Sequence, residues 1–294
     1  LVLLDFAGQV RARATREIDF ASPETVRAFL ESESGRMLAG WDFDTNPIVG
    51  IGVAMPDDMG SVDLPHRPPE YSAWNNVDVR ALLAPVLSLP VYVENDAAAA
   101  ALGELQYGHG LQKPSFFYIL LSSGLGGLVI EGEYFRGANG RSGEIGFLPV
   151  RSRRTDARTL QDAVSLSALH AHLELAGFKP GAPEALPSLP PEGQAVIDAW
   201  VDLSAELLAP TLAAVTCVVN PDAVYIGGRL PAVIVDRLTH ALNQRLAKME
   251  SVPIMAKVLR AATAENAPAI GAAILPFIDQ LLPSKAALRK TAQG

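Results

Sequence analysis

The stretch Pro90-Val91-Tyr92-Val93-Glu94-Asn95-Asp96-Ala97-Ala98-Ala99-Ala100-Ala101-Leu102-Gly103-Glu104 decides how the chain is read. Pro90–Val93 is a short run of apolar and β-branched residues, the pattern of a buried strand. Ala97–Tyr107 is rich in alanine and predicts a helix. A buried strand feeding straight into a helix is the building unit of an α/β protein. The polar pair Asn95-Asp96 stands at the joint. Ligands of α/β sheets collect at that edge, where an Asp can act as a base or hold hydroxyl groups. The plainer alternative is that Asn95 or Asp96 caps the helix. Both readings stand at this point.

The same grammar runs outward in both directions. Upstream, Leu1–Leu4, the turn Asp5-Phe6-Ala7-Gly8 and Val10–Ala14 predict a hairpin. A helix near Pro23–Ser32 is announced by Ser22, with Glu24 in its first turn. Ile48–Pro56 reads as a buried strand, residues 61–75 as a loop, and Val77–Leu87 as a helix. Downstream, Phe116–Leu121 is a strand, Ser122–Gly127 a Gly-rich turn, and Leu128–Ile130 a strand that turns at Glu131-Gly132-Glu133 towards Tyr134-Phe135. Leu160–Ala176 and Val196–Val219 predict helices, Ala223–Ile226 a strand broken by Gly227-Gly228. Val233–Lys248 and Ala267–Leu282 predict the closing helices. Residues 179–192, rich in proline, read as a surface excursion. Strands alternating with helices predict mixed sheets covered on both faces. The repeated hairpin–strand–helix order predicts two similar lobes with a cleft between them.

Composition narrows the classes. The 294 residues carry 24 Lys+Arg against 32 Asp+Glu, a net charge of −8. With 49% hydrophobic and 19% charged residues and a mean hydropathy of +0.20, disorder is excluded. A pI near 5.2 argues against a nucleic-acid-binding surface on these residues. The single Cys217, expected in the core of an apolar helix, rules out a disulfide framework and suits the cytoplasm. No membrane span is expected, since Leu207–Val219 contains Pro210 and Thr216, and no cleavable leader is read at the front.

Few other residues carry chemistry. Ser122-Ser123-Gly124-Leu125-Gly126-Gly127 precedes a hairpin strand rather than a helix, so it is no dinucleotide fingerprint. It reads as a phosphate- or sugar-approaching turn, or simply as a tight β-turn. Gly137–Phe147 is a Gly-dense loop presenting Glu144, suited to vicinal hydroxyls or merely solvated. His170 and His172 differ by two and form no metal pair. His66, His109 and His240 have no partner pattern. Arg151, Arg153 and Arg154 read as a solvated basic loop, and Lys285, Arg289 and Lys290 as an exposed tail.

The order of the motifs is more specific than any one of them. Gly50-Ile51-Gly52-Val53-Ala54-Met55-Pro56, Val93–Glu104, Gly124–Gly127, Arg136–Gly146 and Asn220–Gly228 together resemble the ROK family of repressors, uncharacterised frames and sugar kinases. The resemblance runs from Leu1 to about Leu275. It implies an α/β, two-lobed actin-like ATPase fold of the ribonuclease H-like, sugar kinase type. It further implies a smaller lobe of residues 1–107 plus 275–294, and a larger lobe of residues 108–274 that carries the nucleotide and sugar side and the dimer contact. By position, Asn95, Asp96, Glu144 and Gln161 match the family's sugar-binding residues, with Asp96 the catalytic base in a kinase. Ser123, Gly124, Gly126 and Gly127 match its phosphate turn, and Gly227-Gly228 its adenosine-side turn.

The departures set the expected function. The kinases' Asp-x-Gly-Gly-Thr phosphate loop has no counterpart here, and Leu1 matches a point just after it. Phe147 replaces a histidine that binds zinc, Arg151–Asp162 holds no cysteine, and phenylalanine ligates no metal. No structural zinc or other metal site is therefore expected. Gln161 replaces a glutamate, Leu128 a glycine, and Asp57 the glycine after Pro56. Phosphoryl transfer depends on positioning and charge stabilisation. Sugar binding demands less. The expectation is the sugar-sensing domain of a NagC/XylR-type regulator needing no cofactor, a homodimer, with its DNA-reading helix-turn-helix upstream of Leu1. The alternative is an ATP- and Mg-dependent hexose kinase with a divergent site.

Overall fold

The computed structural model describes residues 1–18, 20–56, 69–122, 126–138, 142–263 and 266–281. The chain divides into two compact units, Leu1–Ala99 with Pro268–Gly294, and Ala100–Ala267.

The first unit opens with β1 (Val2–Leu4) and β2 (Val10–Arg13), an antiparallel hairpin with Val2 opposite Arg13. Asp5 shapes the turn by accepting the Gln9 amide at 2.8 Å. Helix α1 (Pro23–Met37) starts where Ser22 Oγ accepts the Thr25 amide, and it runs five residues beyond the expected Ser32. Strand β3 (Ile51–Met55) follows. Within the expected loop, Pro69–Trp74 forms a 3₁₀ turn that buries Trp74, whose indole donates to the Ala21 carbonyl at 2.8 Å. Residues 57–68, Asp57 among them, lie outside the described residues. Asp78 caps α2 (Val79–Leu87) by accepting the amides of Arg80 and Ala81. Strand β4 (Val91–Asn95) pairs parallel with β3 and leads directly into α3 (Asp96–Tyr107). Leu30, Ile51, Leu83 and Val91 form the core between these elements.

The second unit is built on a five-stranded sheet. Its strands are β5 (Phe116–Leu121), β6 (Gly127–Ile130), β7 (Glu133–Tyr134), β8 (Ala223–Gly228) and β9 (Lys257–Arg260), in the order β7-β6-β5-β8-β9. The β5–β8–β9 pairs are parallel and β5–β6–β7 antiparallel. β9 is absent from the sequence reading because four residues, two of them charged, make a weak strand pattern. Gly227-Gly228 continue β8 rather than break it, opposite Leu120 and Leu121.

The expected single helix over Leu160–Ala176 is two, α4 (Leu160–Val164) and α5 (Leu166–Leu175). Ser165 is extended between them and accepts the Ala168 amide, which makes it a helix start inside an apolar run. Helix α6 (Pro191–Val219) passes through Pro210 and ends at Asn220 in the left-handed conformation; α7 (Ala232–Leu246) follows it. The proline-rich 179–192 segment is anchored, since Pro183–Ser188 forms a 3₁₀ turn whose Leu186 is buried in the core. Phe117, Ile119, Val224 and Val258 on one sheet face pack with α4 to α7 around Trp200. Cys217, contrary to expectation, is exposed on α6, beside Val218. Nor does Pro210 stop α6 from having the length and apolar content of a membrane span, although 44% of that window is buried in this fold.

Glu104 closes the opposite face of the sheet. Its side chain is fully buried. One oxygen accepts the amides of His109 at 3.0 Å and Ala262 at 3.1 Å and faces His109 Nδ1 at 2.7 Å. The other accepts the Thr263 amide and hydroxyl, both at 3.0 Å. The His109 ring stacks on Tyr225, which meets Phe116 edge-on. Burial pulls the Glu104 pKa up, but the hydrogen bonds from His109, Thr263 and Ala262 reverse this and hold it below its ordinary 4.5. The chain returns to the first unit through α8 (Ala267–Gln280). There Gly271 lies so close to α3 that a Cβ on it would overlap the Ala99 carbonyl.

Two stability predictions follow from these contacts. Glu104→Gln turns an acceptor into a donor facing amides and should lower the unfolding free energy by about 3 kcal/mol; a loss in chemical denaturation below about 0.5 kcal/mol would contradict the cradle. A carboxylate with a depressed folded pKa contributes stability above its unfolded value, lost as pH falls through the folded one. The wild type should therefore lose that increment below the ordinary carboxylate value and Glu104→Gln should not. Gly271→Ala should cost about 2 kcal/mol through overpacking, read as a lower melting temperature.

Candidate functional site

In the first unit the site residues stand at the carboxyl ends of two parallel strands, where Met55 of β3 is opposite Asn95 of β4. Asn95 Oδ1 accepts the amides of Ala97 at 2.9 Å and Ala98 at 3.1 Å, so Asn95 caps α3. Asp96 is the first helical residue, 8% exposed, and its Oδ1 accepts the Ala97 amide at 2.8 Å. An anion in the first turn is favoured by the helix dipole. This fixes a carboxylate and a carboxamide side by side, a pair suited to accepting and donating hydrogen bonds to hydroxyls.

In the second unit, register brings β5 and the Gly227-Gly228 end of β8 to one sheet edge. Leu121 of β5 is opposite Gly228 of β8, so both strands end there. Gly228 has φ +125°, and Gly227 leaves room for the Tyr118 hydroxyl, which a Cβ would displace. Packing alone thus accounts for Gly227. Ser123 and Gly124 lie outside the described residues. Gly126, with φ +116°, lets the turn meet the sugar-loop candidate, since a Cβ there would overlap the Gly143 carbonyl. Gly143 itself has φ +82°, and its carbonyl accepts the Ile145 amide at 2.7 Å.

Glu144 is half-buried directly before the 3₁₀ turn Ile145–Phe147, whose Ile145 anchors in the core. Leu148–Leu160 then makes a hairpin through Val150 to Arg158 (2.9 Å) and Leu160 to Leu148 (3.0 Å) backbone bonds. Thr159 and Asp162 box the start of α4, which leaves Gln161 half-buried in its first turn. The 3₁₀ turn packs on α4, so Glu144 and Gln161 come from neighbouring segments of one unit.

Two partnerships were not legible in the sequence. His109, which has no partner pattern, binds Glu104 five residues earlier, across the end of α3. Arg154, expected to be solvated, pairs with Asp202 at 2.9 Å and Glu206 at 2.5 Å on α6. Asp202 and Glu206 are one helical turn apart, but nothing local in the chain points Arg154 towards them. Among the described residues no group of three His, Cys, Asp or Glu side chains is arranged to hold a metal.

Comparison with known proteins places the chain. The model of the ROK family matches residues 1–277. An uncharacterized protein, y4fQ, of Sinorhizobium fredii is 28% identical over 282 residues, covering 94% of this chain and 70% of that protein. The xylose repressor of Bacillus subtilis is 27% identical over 154 residues, 51% of this chain and 39% of the repressor. The match therefore spans well under half of that repressor's length. The crystal structure of a ROK family glucokinase from Streptomyces griseus, in complex with glucose and AMPPNP, superposes with a TM-score of 0.68 at 21% identity, covering 93% of this chain and 94% of that one. A ROK family transcriptional regulator, a homologue of the E. coli MLC protein, superposes with a TM-score of 0.65 at 19% identity, covering 100% of this chain and 78% of that one. The fold is the actin-like α/β fold of the sugar kinases, and the chain belongs to the ROK family.

Proposed function

We propose that these residues form the sugar-sensing domain of a ROK-type transcriptional regulator. The observation that carries the reading is Phe147. It ends the 3₁₀ turn that follows Glu144, at the position where the family's kinases carry a metal-binding histidine. The loop is seated by Ile145 in the core and by Gly126 against Gly143, which needs no metal. Asn95, Asp96, Glu144 and Gln161 supply the sugar contacts; Ser123, Gly124, Gly126 and Gly127 match the kinases' phosphate turn, and Gly227 and Gly228 their adenosine-side turn. The whole protein would work in the cytoplasm as a homodimer and read DNA through a helix-turn-helix outside these residues, with sugar shifting the population of a DNA-binding state.

The second reading is an ATP- and Mg-dependent hexose kinase, favoured by the retained Asp96 at the start of α3 and by the glycine turn that meets Gly143 at Gly126. A turn of that kind suits phosphate, and Asp96 would take the proton of the attacking hydroxyl.

Titration calorimetry with D-glucose and D-xylose, the sugars named for the relatives, tests the site. Glu144→Ala removes a charged acceptor and should weaken binding about tenfold or more; unchanged affinity would refute the sugar assignment. A coupled assay on the full-length protein should show no sugar-dependent ATP turnover. Turnover in the ordinary range of about 1–100 s⁻¹, abolished by Asp96→Asn, would make the kinase reading correct.

A further inference from the structure

The hairpin Leu148–Leu160 links the two sugar-contact candidates of the second unit. It begins four residues after Glu144 and ends one residue before Gln161. Its base is apolar, with Val150, Ala157 and Leu160 on the core. Its tip is fastened differently. Arg154 reaches Asp202 and Glu206, Asp202 is shared with Arg245 of α7, and Ser152 Oγ meets Glu206 at 3.4 Å while accepting the Arg154 amide at 3.1 Å. Four charged groups from three segments therefore meet at the tip. A lone exposed pair contributes little, but here two arginines share one carboxylate, so the hairpin is fastened to α6 at a point that Arg245 ties in turn to α7.

We propose that Arg154 is a positioning residue for sugar binding. Its ion pairs to α6 set the angle of the hairpin and thereby the placement of Glu144 and Gln161. This rests on the sugar-site reading given above. Tilting the tip moves both ends of the hairpin together, because Leu148 and Leu160 are hydrogen-bonded to each other at its base. The signature is an unusual one, namely salt-sensitive binding of an uncharged ligand. D-glucose has no charge to screen, so a salt dependence that disappears with Arg154 comes from the ion pairs Arg154 makes.

The test titrates D-glucose and D-xylose into wild type, Arg154→Ala, Arg154→Lys and Glu144→Ala. Arg27→Ala, which removes an exposed pair on α1, is the control. Raising salt from about 0.02 M to about 0.5 M should weaken the wild-type affinity about two- to fivefold. Arg154→Ala should bind about three- to tenfold more weakly at low salt and lose the salt dependence. Arg154→Lys, which keeps the charge without the fork, should recover part of both, and Arg27→Ala should match wild type. If Glu144→Ala loses affinity while Arg154→Ala keeps it, the positioning role is refuted and the sugar site stands. If Arg154→Ala weakens binding but keeps the wild-type salt slope, its effect is general packing and the proposal also falls. If neither variant changes binding, or neither sugar binds wild type, the sugar-site reading fails and takes this one with it.

Discussion

A carboxylate without water contact is the least forgiving group in this protein. Stripping an ion of water costs several kcal/mol unless its lone pairs are satisfied. Glu104 meets that condition with donors from two distant stretches, His109 just beyond α3 and Ala262-Thr263 beyond β9, 158 residues and more away along the chain. The contact thus fixes where β9 ends relative to α3. It also governs its neighbours. Burial, reinforced by the charge of Glu104, pushes the Tyr225 phenol up to about 12 and raises that of Tyr118 as well, so both stay neutral. Gly227 is then required by the Tyr118 hydroxyl. One buried charge thereby reaches the end of β8, where a candidate turn begins.

The candidate site residues share a simple logic. Those among the described residues stand at a strand's end or beside a core residue in a turn or helix start. Asn95 and Asp96 follow β4, Gly227-Gly228 finish β8, and Gly126 sits where β6 begins. Glu144 and Gln161 are held by the core residues beside them, Ile145 and Leu160. Polar groups placed by strand ends and core-seated turns suit ligands bound by a few polar contacts.

Much of this was legible in the residues. The joint at Asn95-Asp96, the Ser22 helix start and the β5 and β8 strands have strong local patterns, because apolar runs and caps act over a few residues. What escaped was what distance along the chain conceals. The break at Ser165 sits inside an apolar run, and β9 is too short and too charged to announce itself. Cys217 was expected inside because it lies in the apolar last third of α6, and only the packing of Trp200 and its neighbours shows which face turns inward. The Arg154 contacts, and those of Glu104 with Ala262 and Thr263, join segments dozens to more than a hundred residues apart. No local pattern encodes them. The glycines of the turns were recognised as special, but their causes, the Gly143 carbonyl and the Tyr118 hydroxyl, are visible only in three dimensions.

The central claim is that the Glu104 cradle holds the second unit together and so sustains the turns that carry the candidate site. Residue-resolved hydrogen exchange measures this without any substitution. The amides of His109, Ala262 and Thr263 are predicted to exchange only on global unfolding, with protection matching the β5 and β8 core. Exchange of those three amides at the rate of the exposed Lys179 and Gly181 would contradict the account.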